Sequence, residues 1–366
     1  MTGQLDLLMF LALVVVIMSG FPVAFSIAGV AVLFACLGWL TGAMDISLLG
    51  AFGQRVFGLI SNQVLIAIPL FVFMGALLEK SRIAEELLDT MGRAFGQLRG
   101  GLGISVILVG TLLAASTGIV GATVVAMGMI ALPTMLRAGY DPRVSSGIVC
   151  TAGTLGQIIP PSTLLIILAD VMSNAYQQAQ YEQGKFSVEA LSVGQFFAAA
   201  LVPGLVLVSL YLVYVLLRGV LRPHDMPPTD SSQSRPARVD ILAAIVPPIL
   251  LIFAVLGSIL GGIATPTEAA AVGAVGALLM SGARLDRHRR VIMMAAGAFI
   301  LLAMLAGMFP VRLQRDDLSA GSYALGGVYI ALTCVGVLGI LAALRNVLNQ
   351  RMIQDAATST MTMTAM

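Results

Sequence analysis

Charge is scarce in this sequence. Only 10% of its 366 residues are Asp, Glu, Lys or Arg, against 58% hydrophobic, whereas a soluble domain carries about a quarter charged residues. That shortage excludes a water-soluble globule and leaves an all-α polytopic membrane protein. Histidine is nearly missing as well. His224 and His288 sit in basic polar stretches, and no His/Cys/Asp cluster has metal-ligand spacing. With no histidine in an apolar run and no serine beside a base, a membrane-embedded hydrolase or transferase lacks its working groups. Cys36, Cys150 and Cys334 stand singly in apolar runs. They are expected to be small buried residues and not a disulfide framework. No basic stretch precedes the first apolar run, so Leu5–Gly20 reads as a retained span and not as a cleaved leader.

One stretch departs most from an ordinary span. From Gly103 to Leu136 the chain runs 34 residues without a charge, whereas about 20 helical residues cross a bilayer core. Its centre, Ala115-Ser116-Thr117-Gly118-Ile119-Val120-Gly121, is small and hydroxylated, which suits a turn. Arg93 and Arg99 precede the run, and Arg137 and Arg143 follow it. Basic residues gather in cytoplasmic segments, so the run is expected to enter and leave on one side. That describes a re-entrant hairpin over 103–136, its polar tip at membrane depth and shielded by protein or a water cavity.

The next helix-length run, 144–171, is interrupted by Gly153-Thr154-Leu155-Gly156-Gln157 and then by Pro160-Pro161-Ser162. Two glycines and two prolines do not sustain a regular helix. A broken helix is expected, its freed carbonyls facing the hairpin tip and its glycines at positive φ. Transporters hold sodium and anionic substrate groups with such broken helices. The plainer reading is that the glycines let helices pack closely.

Further spans are read near 4–20, 22–42, 57–79, 192–217, 240–260, 266–282, 291–309 and 323–344. Residues 81–99 mix charged and apolar residues at helical spacing, as in an amphipathic helix along the membrane interface. With the hairpin in place, sixteen of the twenty Lys and Arg fall in cytoplasmic segments, and the N-terminus is periplasmic. The turn at Gly20-Phe21-Pro22 is similar to Gly262-Ile263-Ala264-Thr265-Pro266, and the topology makes the two an inverted repeat. Glu268 is expected to close a capping box with Thr265, Pro266 taking the first helical position. Residues 223–239 form a polar, proline-rich linker between a first half, 1–222, and a second, 240–366.

The segments ASTGIVGATVV, LPTMLRAGY, GTLGQIIPPS and GIATPTEAAAVGA together resemble the large permease subunit of TRAP transporters, the tripartite ATP-independent periplasmic transporters. The resemblance runs from residue 1 to about 282. It implies an inverted-repeat, elevator-type importer of small organic acids, coupled to sodium and needing no other cofactor. It implies a small four-helix membrane subunit and a periplasmic substrate-binding protein as partners, in a bacterial inner membrane and among its lipids. Nucleic acid is not an expected partner. Carried over by motif, sodium falls to Ser116, Thr117 and Gly118 and to Gly153, Thr154 and Gly156. The substrate borders Gln157, Pro160, Pro161 and Ser162. Beyond 282 the sequence departs from the family: residues 283–345 read as a basic loop and two extra spans. The closing DAATSTMTMTAM resembles the opening of the next family helix, so a truncated permease is expected. A non-transporting scaffold, or a split subunit completed by another chain, is the alternative.

Overall fold

A computed structural model describes residues 2–42, 45, 50–117, 120–185, 187–228, 237–285, 289–308 and 320–365. Among them are fifteen α-helices and no strand. Among the described residues, five helices contain stretches long and apolar enough to cross a membrane: Val23–Leu40, Gln63–Lys80, Val193–Leu221, Ile241–Leu260 and Leu325–Asn349. The chain is an all-α polytopic membrane protein.

Helices α1 (Thr2–Met18) and α2 (Val23–Leu40) pack as a pair. The span expected over 57–79 is split instead. Helix α3 (Ala51–Ile60) stops before Ser61-Asn62, and α4 (Gln63–Lys80) starts anew. The cause is local: the Asn62 side chain accepts the Val64 amide at 3.0 Å and caps α4. The same side chain donates to Asp170 at 2.9 Å.

Helix α4 is the pillar of the fold. It buries Ala67, Phe71, Val72, Met74, Ala76, Leu77 and Leu78, and it packs most extensively against α12 (Pro266–Arg284). The two run parallel. Thr267 donates to the Gln63 carbonyl at 2.6 Å, Ser281 to Leu77 at 3.4 Å and Arg284 to Ser81 at 3.3 Å, so matching ends meet. Arg284 also pairs with Glu86 of α5 (Ile83–Phe95). The apolar stripe of α5, Ile83, Leu87, Leu88 and Met91, is buried, and the helix packs on α6 and α11. The protein itself covers that stripe.

Helix α6 spans Gly101–Thr117, α7 Val120–Arg137, α8 Pro142–Thr154, α9 Thr163–Glu182 and α10 Val193–Leu221. Helix α9 runs past residue 171, where the sequence reading ended it. Helix α11 (Arg238–Leu260) leads to α12, whose start carries the expected box. The Thr265 hydroxyl accepts the Glu268 amide at 3.3 Å, and a Glu268 carboxylate oxygen accepts the Thr265 amide at 2.8 Å. Gly20 and Gly262 are both left-handed, at φ 86° and 66°. Each closes one helix shortly before a proline opens the next, which gives the repeated turns one local shape.

Helices α13 (Arg289–Met308) and α14 (Ala320–Asn349) pack on each other and on α12. The last helix, α15 (Met352–Ala365), lies against α4. One expectation fails: Cys36, Cys150 and Cys334 are exposed. In a membrane protein the outer surface is itself apolar, so an apolar neighbourhood in sequence does not imply burial.

Candidate functional site

The two feet of the long uncharged stretch meet. Tyr140, 3% exposed, accepts the Leu102 amide on its hydroxyl oxygen at 3.3 Å. Burial pushes the Tyr140 phenol above its ordinary pKa, against the opposing hydrogen bonds from Leu102 and Gly103, so it is a neutral hydroxyl at physiological pH. α6 therefore leaves the feet and α7 returns to them.

The space between the two arms is filled by α8, which packs on both. Glycine permits the approach on each side. A Cβ at Gly110 of α6 would lie 2.7 Å from the Ala152 Cβ. A Cβ at Gly153 of α8 would lie 2.4 Å from Val124 Cγ2 and 3.0 Å from Val124 Cα, on α7. Nearer the feet, a Cβ at Gly103 would lie 3.1 Å from Ile148. Small residues let helix backbones close in this way where lipid supplies no hydrophobic drive.

Helix α8 ends beside Val124, four residues into α7 from Val120, about one helical turn short of the tip. It gives way to a 3-10 turn, Leu155–Gln157, and then to the buried Pro160-Pro161-Ser162. The Leu155 carbonyl accepts from both Ile158 and Ile159 at 3.0 Å, and the Gln157 carbonyl accepts from the Ser162 hydroxyl at 2.9 Å. Ser162 also caps α9. Pro161 meets Leu112 and Leu113 of α6 across a narrow apolar gap. Four helix ends thus converge near the tip. α6 and α8 bring C-termini, which carry partial negative charge; α7 and α9 bring N-termini, which carry partial positive charge.

Of the residues expected to hold an ion, Gly153 and Gly156 are buried and Thr154 is exposed, its hydroxyl donating to the Thr151 carbonyl at 2.8 Å. Ser116 and Thr117 close α6, but their side chains, together with Gly118, lie outside the described residues. One part of the expectation is corrected. Neither Gly153 nor Gly156 has positive φ; both keep right-handed backbone. At Gly153 the glycine is required by the contact with Val124 and not by a left-handed turn. Of the expected substrate neighbours, Gln157 is half-buried, and Pro160, Pro161 and Ser162 are buried. The sequence reading did not single out Gly110, Val124 or Tyr140. The seven-residue spacing of Gly103 and Gly110 marks one face of α6 and was the available signal.

A family model described as "Tripartite ATP-independent periplasmic transporter, DctM component" matches residues 10–347. The chain belongs to this family. The DctM match continues through α13 and most of α14, well past residue 282. The chain is 35% identical over 241 residues to the C4-dicarboxylate TRAP transporter large permease protein DctM of Pseudomonas aeruginosa, covering 64% of this chain and 52% of the relative. It is 31% identical over 275 residues to the DctM protein of Rhodobacter capsulatus, covering 75% and 60%. It is 30% identical over 272 residues to the ectoine/5-hydroxyectoine TRAP transporter large permease protein of Ruegeria pomeroyi, covering 74% and 58%. The chain thus spans between half and two thirds of the length of these DctM-family relatives.

Proposed function

We propose that the chain is the permease subunit of a sodium-coupled secondary transporter of a bacterial inner membrane. It imports small organic acids handed over by a periplasmic binding protein and works beside a small four-helix membrane subunit; it performs no covalent chemistry. The observation that carries this reading is the meeting of four helix ends where α8 is wedged into the α6–α7 hairpin. Two C-terminal ends favour a cation, and two N-terminal ends favour a carboxylate. Sodium is a hard cation that takes oxygen ligands. The Ser116, Thr117 and Thr154 hydroxyls and the backbone around Gly118, Gly153 and Gly156 offer neutral ones. Gln157, Pro160, Pro161 and Ser162 then line the substrate side. Family membership and relatives whose names give C4-dicarboxylate or ectoine as cargo support an organic acid or zwitterion, delivered from the periplasm.

The test is uptake into vesicles holding the transporter complex. Thr154→Val keeps the side-chain shape and removes the hydroxyl. One lost neutral ligand, at about 1 kcal/mol, weakens apparent sodium affinity by roughly fivefold to tenfold, and Ser116→Ala does the same. Unchanged sodium dependence in both variants would move the ion elsewhere.

The hairpin also enters and leaves the membrane on the cytoplasmic side. Arg99 and Arg137 are both exposed. Cysteines placed at these positions, with Cys36, Cys150 and Cys334 replaced by serine, react with an impermeant thiol reagent from the cytoplasmic face only. Labelling from opposite faces overturns the re-entrant topology.

A further inference from the structure

Both feet of the hairpin are gripped by one short segment. Immediately after α10, the Asp225 carbonyl accepts the Asp141 amide at 2.9 Å, and the Met226 carbonyl accepts the Gly100 amide at 3.3 Å. One foot precedes α6 and the other precedes α8, yet consecutive carbonyls hold them. Met226 is 0% exposed and sits against Gly100, where a Cβ would lie 3.5 Å from its sulfur. Gly100 is left-handed at φ 79°, and its missing Cβ also leaves room for Val215 of α10. Pro227 covers Gly139 on the other foot, 3.4 Å from where a Cβ would be. Gly219, in the last turn of α10, lies so close to Arg99 that a Cβ there would sit 2.9 Å from its carbonyl oxygen.

The segment is itself fixed. Arg218 donates to the Asp225 carboxylate through Nε at 3.2 Å and through a terminal nitrogen at 2.9 Å. Its other terminal nitrogen reaches the Tyr214 hydroxyl at 3.1 Å. Both donors converge on one carboxylate oxygen, Oδ2, and these charge-assisted bonds hold the turn against the end of α10. The pair is partly shielded, with side chains 28% and 24% exposed. The Asp225 amide donates to the Arg222 carbonyl at 3.0 Å, which continues the end of α10 into the segment.

We propose that Asp225-Met226-Pro227 is a clasp that locks the two feet of the hairpin to each other and to the end of α10. The hairpin then moves as one body with α10 and does not open from its feet. The clasp begins the polar linker between the halves, so the linker's position is passed directly to the hairpin. This makes Asp225 and Met226 positioning residues, whatever ion or substrate the tip receives.

Hydrogen exchange on the whole transporter complex, read by mass spectrometry, tests this without reference to transport. The amides of Gly100 and Asp141 exchange when their acceptors on the clasp let go. Asp225→Ala removes the carboxylate that Arg218 holds, and it is expected to speed exchange about tenfold at both feet together. Peptides from α12 stay unchanged. Asp225→Asn keeps an acceptor for Arg218 and gives a smaller rise at the same two feet. Exchanging the pair, Arg218→Asp with Asp225→Arg, brings both feet back toward wild-type rates. Met226→Ala empties the buried space against Gly100 without touching the ion pair and is expected to loosen both feet as well. The clasp is overturned if residues 222–228 exchange faster in these variants while the feet do not, or if only one foot responds.

Discussion

Gly153→Val is expected to unseat the hairpin and, on the proposed function, to abolish uptake by the transporter complex. The first added carbon would sit 2.4 Å from Val124 Cγ2, 3.0 Å from Val124 Cα and 3.1 Å from its amide nitrogen. The side-chain methyl could rotate away, but the α7 backbone could not without carrying the arm with it. Overpacking of this kind costs about 1–3 kcal/mol, and more where backbone blocks relief. Gly153→Ala shows most of the same loss, because the clash begins at Cβ. Gly147 supplies the control on the same helix. Nothing lies within 4 Å of a Cβ built there. Gly147→Ala is therefore expected to leave uptake intact and to add roughly 0.5–1 kcal/mol of stability by lowering backbone entropy in the unfolded chain. Thermal melts and uptake of the three variants decide the matter. Equal behaviour at the two positions would mean that the α7–α8 seam is not tight.

Gly282→Val is expected to separate α14 from α12. A Cβ at Gly282 would meet the Ala343 Cα and Cβ, each at 2.7 Å. The Asn346 side-chain amide donates to the Gly282 carbonyl at 3.2 Å in the same place. On its far side α12 is committed to α4, so the helix has little room to retreat. The loss is again about 1–3 kcal/mol, read as a lower midpoint of thermal unfolding in detergent. Gly282→Ala combined with Ala343→Gly recovers part of the loss relative to Gly282→Ala alone, because one of the two clashing carbons is gone. A midpoint equal to wild type in Gly282→Val would show that α13 and α14 are only loosely attached.

Much of the architecture was legible because its signals are local. The capping box at Thr265 and Glu268, the Gly/Pro break after Thr154 and the uncharged run from Gly103 need no distant partner to be recognised. The site was less legible for the opposite reason. Whether Gly153 exists for a left-handed turn or for a close contact depends on Val124, some thirty residues earlier, and nothing near Gly153 names that residue. Exposure was misread at Cys36, Cys150 and Cys334 because composition alone does not separate a protein-facing apolar position from a lipid-facing one. The parallel register of α4 and α12 was equally hidden: Gln63 and Thr267 show no mutual pattern until the fold brings them together.

That register has a consequence for how the protein is made. The partners on α4 and α12 are separated by about 204 positions, Gln63 against Thr267 and Leu77 against Ser281. At roughly 5–20 residues per second of synthesis, α4 enters the bilayer some ten to forty seconds before α12 exists. During that interval the face that will hold α12, including Met74 and the Leu77 carbonyl, is open to lipid or to a membrane chaperone. The nascent chain thus has α5 to α10 in hand while its central pillar, α4, still lacks its largest neighbour. Assembly of this protein is therefore timed by the ribosome at the seam between α4 and α12.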